Sequence, residues 1–474
     1  MNKPERPFPA RSMLTFATGL VLACQAGSAR AQDAPDASRE PVQSRVQETP
    51  GVLPGQSRKP LAGIGLWLAE RGIAPRFSLN QFSQANPSTG VDTGERQVVT
   101  LVSLGADLDM GKIAGIDGGT IHFEQLYVPI ISNLNYRAQL GDALSAIGAP
   151  YLPKASHLQT LTYEQKLFDD KLTVEVGKSN AIYYFATSLC NMPLSCLNTI
   201  LITAGGVNPF PYADWSARLA YDVSPRLRVQ AGAWRSNPNF FNHNGWERRG
   251  DPGDPTSTSY FANVVYRSTF AEEAYPATYE AMGYHNNGRQ NDRFVTPGGL
   301  AAGQVHDGTS GMYLGARKVL YRPDGGRAGV AHPRALSAYA SMTHSFDSTA
   351  GNGIRNLLHA GVIRQGLFAG RPLDSYSLNV HFAQLTRHRQ RFTEDAHRAI
   401  GEGSYDIGRN EYALTLDANY VLTDSIVVSP FVRHTWNANK WFNAFGRTNP
   451  SDGFTLGFAL HVGLDHALGL RAKP

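Results

Sequence analysis

The chain alternates between apolar and polar positions over much of its length. In residues 411–421, EYALTLDANYV, one parity carries Tyr412, Leu414, Leu416, Ala418 and Tyr420, and the other Glu411, Ala413, Thr415, Asp417 and Asn419. Period two puts these sets on opposite faces of a β-strand. WSARLAY (215–221), RLRVQAGAW (226–234) and DSYSLNVHF (374–382) repeat the pattern. Several of these faces carry an aromatic near each end. Such a strand suits a soluble antiparallel sheet with one wet face. It equally suits a membrane barrel whose apolar face meets lipid and whose polar face meets a wet lumen.

The number and spacing of the strands favour the barrel. The pattern predicts about sixteen, at 74–84, 96–109, 119–128, 157–168, 171–178, 213–222, 226–234, 261–270, 274–285, 311–321, 335–346, 355–365, 374–386, 410–421, 425–437 and 453–464. Both parities are mixed at 96–109 and 335–346. LFDDKL, DVSPRL, FAEEAY and VLTDSI read as tight turns, with Asp, Ser or Pro where turn chemistry uses them. The connections 129–156, 179–212, 235–260, 286–310 and 387–409 are long and rich in Gly, Asn and Pro. Short and long mostly alternate, as in an all-β, up-and-down antiparallel transmembrane barrel with turns at one rim and loops at the other. LAGIGLWLAERG (61–72) predicts a short amphipathic helix, periplasmic in such a barrel and ending at Gly72; its GxG lacks the third glycine of a nucleotide loop. TLGFALHV (455–462) fits the polar-x-Gly-x-x-apolar-x-apolar pattern of a last outer-membrane strand.

Composition agrees. Hydrophobic residues make up 42% of 474, mean hydropathy is −0.29, and no apolar run reaches the roughly 18 residues of a membrane helix. MNKPERPFPAR, MLTFATGLVLA and Ala29-Arg30-Ala31 form a signal peptide expected to end at residue 31, with a lipoprotein signal at Cys24 as the rival reading. Residues 32–60 read as a flexible leader, 61–464 as helix and barrel, and 465–474 as a tail. Removing residues 1–31 takes away four basic and one acidic side chain and leaves a net charge of +2, which gives no reason to expect nucleic acid. It also leaves Cys190 and Cys196, an even pair that an exported protein oxidises.

YEQKLFDDKLTVEVGKSNA (163–181), GMYLGARKVLYRP (311–323), GLFAGRPLDSYSLNV (366–380), YVLTDSIVVSPFVRHTW (420–436) and the opening GIGLWLAERGI resemble the OprB-type carbohydrate-selective porins of Gram-negative outer membranes. The resemblance runs patchily from Leu61 to Leu464. It implies a sixteen-stranded pore through which glucose and related mono- or oligosaccharides diffuse to the periplasm without cofactor or energy source. Lipid, lipopolysaccharide and the barrel-assembly machinery would be its partners in the membrane. The tail after Leu464, and Arg317 at a position expected to be acidic, depart from the pattern, so the resemblance names a class of solute and not one sugar.

If the polar parities line a lumen, the inward candidates are Arg76, His122, Glu124, Glu164, Lys166, Glu175, Arg218, Arg228, Arg317, Glu411, Asp417 and Arg433. Guanidinium forks and carboxylates together can exchange with the hydration shell of a sugar. Solvating a wet interior is the plainer role for the same charges. Arg228 reads as mid-strand, and Thr415 as a position where an arginine would meet open water. The connection 179–212 can fold inward and narrow the pore with Phe185, Phe210 and Tyr212, or stand as an exposed loop. RHRQR (387–391) suits lipopolysaccharide phosphates or a solvated loop. GxSxG, HExxH, P-loop and CxxC motifs are missing. The alternatives are an anion- or organic-acid-selective porin, a barrel-embedded lipid hydrolase, and a secreted polysaccharide-binding β-protein.

Overall fold

The computed structural model describes residues 59–152, 155–186, 189–192, 205–236, 244–246, 256–291, 305–330, 334–347, 353–401 and 408–471. The expected signal peptide, the leader up to residue 58, and Cys196 lie outside them. Sixteen strands follow in order: β1 Ile73–Asn86, β2 Glu95–Asp109, β3 Gly119–Ile131, β4 Ser156–Leu167, β5 Leu172–Ser179, β6 Asp214–Ser224, β7 Leu227–Ser236 and β8 Ser257–Arg267. Then come β9 Ala277–Asn291, β10 Val305–Tyr321, β11 Ala335–Ser345, β12 Ile354–Gln365, β13 Ser375–Leu385, β14 Asn410–Val421, β15 Ile426–Trp436 and β16 Gly453–Gly463. Each pairs antiparallel with its sequence neighbours, and β1 pairs with β16 from Ser78↔Gly463 to Ala85↔Leu456. Closure leaves no strand edge unpaired, which is what allows strands to sit in lipid.

Every expected strand is present. The hairpin of β9 and β10 extends into the stretch expected as a loop at 286–310, where β9 runs on to Asn291 and β10 starts at Val305. The alternation of β14 sorts as its pattern demands. Leu416 is 52% exposed, Thr415 is 0% exposed, and Glu411, Ala413, Asp417 and Asn419 are buried with Thr415. Exposed apolar side chains such as Leu219, Val264, Leu314, Leu378 and Leu456 continue the outer row round the barrel. An apolar belt this long is unsustainable in water and belongs in a bilayer. Aromatic pairs mark its edges: Tyr376 with Tyr420 at 5.8 Å, and Phe382 with Tyr412 at 5.3 Å. The eight steps from Tyr412 to Tyr420 span about 27 Å along the strand, enough for the apolar band.

One rim is closed by short turns. In LFDDKL, Phe168, Asp169 and Asp170 take φ of 55°, 54° and 65°, a left-handed conformation that Asp tolerates better than most residues. The GRPLD segment is a turn staple. Arg371 forks onto Asp374 at 2.7 and 2.9 Å, and the same carboxylate accepts the Val421 N–H of the next turn at 3.0 Å. Arg322 and Asp324 repeat the device in LYRPD, at 2.9 and 2.5 Å.

Helix α1 (Ala62–Glu70) forms as expected and gives way to Gly72 at φ 78°. Its apolar residues are not a buried face: Ile64, Leu66 and Trp67 are exposed. The helix is held by its backbone instead, with Leu61 N donating to Leu468 O at 2.8 Å. A Cβ on Gly65 would lie 2.2 Å from Gly469 O, so only glycine permits this approach. Four further short helices are α2 (Met110–Ala114), α3 (Tyr136–Leu140), α4 (Ala143–Ile147) and α6 (Leu464–Leu468), with α5 (Arg387–Ala399) before the last. α5 occupies a connection expected to be loop. Thr386 caps it by accepting the Arg389 N–H at 3.1 Å, and Thr393, Ala396 and His397 bury one face.

Candidate permeation pathway

Two long connections fold into the barrel. The β3–β4 connection carries α4 onto β12–β14. Ala143, Leu144 and Ile147 pack with Ile354, Leu357, Ala383, Leu385 and Ala413. The Glu411 carboxylate accepts the backbone N–H groups of Leu144 at 2.6 Å, Ala143 at 3.1 Å and Asn439 at 3.3 Å. Arg433 donates to Leu144 O at 2.9 Å and to Thr415 Oγ1 at 3.0 Å. Asp142 caps α4 through Ser145 N at 2.6 Å, and burial raises its pKa above the usual carboxylate value. Glu411→Ala would leave three buried N–H groups without their acceptor, each costing about 1–3 kcal/mol. We expect α4 to leave the wall and the single-channel conductance to rise, read in a planar bilayer. An unchanged conductance would show that the apolar contacts alone hold the loop.

The β5–β6 connection goes further. Ala181, Phe185 and Ala186 pack against inward Trp234, Phe261, Met282, Tyr284 and Tyr313 of β7–β10. Ala186 N donates to Glu280 at 2.9 Å. Tyr184 donates to Glu175 at 2.6 Å and lies 4.3 Å from the Arg218 guanidinium. Burial and the Glu175 charge push its phenol well above the usual range. Further along, Asn191 donates to Asp417 at 2.8 Å, accepts from Ser375 at 2.6 Å, and its carbonyl accepts from Asn419 at 2.6 Å. β13 and β14 stand eight strands from β5 and β6 in a ring of sixteen. The connection therefore crosses the whole lumen. Cys190, beside Asn191, is buried and disulfide-bonded; its expected partner Cys196 lies outside the described residues.

These crossings divide the twelve inward candidates. Glu411, Arg433 and Asp417 are buried struts for the two loops, and Glu175 and Arg218 form a buried pair at 2.7 Å under Tyr184. Arg317 donates to Leu189 O at 3.5 Å, toward the loop tip. Arg76, His122, Glu124, Glu164 and Lys166 lie together on β1, β3 and β4. Arg76 lies 2.6 Å from Asp107 and 4.0 Å from Glu124, and His122 lies 2.7 Å from Asp107. Glu164 lies 3.9 Å from Lys166 and 3.5 Å from Arg218. Arg228 is the second residue of β7 and forks onto Asp222 at 2.6 Å twice, so it stands at the turn rim and not mid-strand.

The loop aromatics also divide. Phe185 and Tyr212 are fully buried anchors, Tyr212 edge-on to His157 at 4.9 Å, so neither faces a solute. Phe210 is half-buried beside Phe82, Val99, Leu101 and Leu126. Asp107, Asp142, Tyr184, Asn191 and Glu280 were missed by sequence reading. Asp107 lies in a strand of mixed parity, Asp142 and Tyr184 lie in connections without a periodic pattern, and Asn191 and Glu280 act through partners distant in the chain.

Comparison with known proteins agrees with this architecture. The family model described as carbohydrate-selective porin, OprB family, matches residues 100–464. Porin B of Pseudomonas aeruginosa is 24% identical over 396 residues, covering 77% of this chain and 83% of that protein. The high-pH structure of Pseudomonas putida OprB superposes with a TM-score of 0.70 at 19% identity, covering 84% of this chain and 95% of that one. A closed sixteen-stranded barrel with a polar lumen, matched over residues 100–464 by that model, belongs to the OprB family of carbohydrate-selective porins of the Gram-negative outer membrane.

Proposed function

We propose that sugars cross this porin along the β1–β4 side of the lumen, between a greasy patch and a balanced charge cluster. The loops supply the carrying observation: one runs along β7–β10 and lands on β13–β14, and the other lands on β12–β14 and, among the described residues, touches β1–β3 only near their loop-side ends, through Gly148 and Leu152. The arc left to a solute is the one holding Phe82 and Phe210 above Arg76, Asp107, His122, Glu164 and Lys166, with buried Glu124 behind Arg76. A pyranose has an apolar face for the rings and hydroxyls for the forked charges. Cations already paired with carboxylates present little net charge, which favours neutral polyols over ions. Weak, shared contacts let the sugar leave again. Outer-membrane lipid would cover the apolar belt, and assembly machinery would deliver the chain there.

Arg76→Ala tests this. The glucose concentration that halves single-channel current is expected to rise several-fold, with open conductance kept or slightly increased. The lipid-facing Val229→Ala should change neither. If phosphate or an organic acid blocks the current instead of sugar, the arc is an anion filter. If nothing blocks at any soluble concentration, the channel is a general pore.

A further inference from the structure

The loop rim holds a cationic notch unconnected with the sugar path. Arg355, Thr386, Arg387, His388 and Arg409 line an open cavity of about 290 Å³. They come from three separate stretches of chain: the start of β12, the segment leaving β13 into α5, and the residue before β14. Backbone carbonyls hold two of the guanidinium groups, Arg355 on Phe346 O at 2.9 Å and Arg409 on Leu385 O at 3.0 and 3.1 Å. Among the described residues no carboxylate pairs with any of the four cationic or titratable side chains. Burial, and then repulsion from Arg387 and Arg355, lower the Arg409 pKa. Like charges gathered without counter-charge are costly unless an anion joins them.

The height of the notch suggests which anion. Leu385 lies three residues beyond Phe382, and Arg409 three before Tyr412, the aromatic pair at the outer edge of the apolar belt. Three residues rise about 10 Å along a strand, so the notch stands just outside the lipid band, at the level of headgroup phosphates. Guanidinium forks bind phosphate oxygens bidentately, and the first turn of α5, where Arg387 is exposed, adds its own dipole. We propose that this notch is a phosphate-binding site for the phosphorylated glycolipid of the outer leaflet, through which the barrel seats in its surrounding lipid.

The test uses detergent-purified protein with diphosphoryl lipid A, fully dephosphorylated lipid A and inorganic phosphate, followed by native mass spectrometry. Diphosphoryl lipid A should bind and the dephosphorylated form should not. The Arg387 side chain is exposed and makes no hydrogen bond among the described residues, so Arg387→Glu should fold and weaken binding at least tenfold; Arg355→Gln should act in the same direction. Arg398→Glu makes the same charge change at the far end of α5, where Arg398 already pairs with Asp395, and should stay within twofold of wild type. If inorganic phosphate displaces the lipid, the phosphate group is confirmed as the moiety recognised. If only inorganic phosphate binds, and Arg387→Glu abolishes it, the site stands with a free anion as occupant. Equal losses in Arg387→Glu and Arg398→Glu would reduce the effect to diffuse charge and overturn the site, as would binding that ignores all three substitutions.

Discussion

Leu416→Arg should destabilise the barrel by about 2–4 kcal/mol, the cost of an arginine on the lipid face near the midplane. Leu416 lies midway between Tyr412 and Tyr420 and points outward, half exposed. Reversible denaturant unfolding in lipid vesicles measures the difference, and a loss below about 0.5 kcal/mol would remove Leu416 from the lipid face. Sequence parity alone suggests Thr415→Arg as the harmless partner substitution, and the structure corrects that. Thr415 is fully buried, accepting from Arg433 at 3.0 Å and hydrogen-bonded to His381 Nε2 at 3.1 Å. A second guanidinium there would be buried against Arg433, so both substitutions should destabilise, for different reasons. Lys166→Ala, which removes a partly exposed side chain paired only loosely with Glu164, is the suitable control.

Phe185→Ala should open the pore. Its ring lies 5.6 Å from Trp234 and 5.4 Å from Phe261, fully buried. Truncating a buried phenylalanine costs about 3–5 kcal/mol, and here the cost falls on the docking of one loop. The ring contact supports neighbouring polar anchors, Ala186 N on Glu280 and Gln230 on Tyr184 O at 2.5 Å. The strands need none of these, because their ladder closes on itself. The expected result is a higher, noisier single-channel conductance with sugar block weakened, while heat-modifiable mobility on gels shows the barrel intact. A drop in unfolding midpoint with conductance unchanged would mean that the ring supports the wall and not the loop.

The places where sequence reading succeeded and failed share one physical cause. Strand alternation in β6, β13 and β14 is a local signal, because each side chain's face follows from its parity. Tight turns are equally local, as Phe168–Asp170 show. The α5 helix carries no such signal, because RHRQRFTEDAHRA is polar almost throughout and its buried face consists of Thr393, Ala396 and His397 rather than large apolar residues. Parity also named the inward charges without saying which of them a solute can reach.

The amino-acid sequence by itself determined the sixteen strands, the alternation of short and long connections, and which parity of β14 meets lipid. It could do so because membrane burial asks for one repeating, short-range pattern. Only the tertiary structure decided the pore. Leu144 meets Glu411 across 267 positions and Asn191 meets Asp417 across 226. Contacts so distant in the chain leave no period to read, since they depend on where a closed ring brings opposite walls together. Barrel closure thus turned Glu411, Asp417 and Arg433 into loop anchors, and set Arg76, His122, Glu164 and Lys166 on the side of the barrel along which we propose that sugars pass.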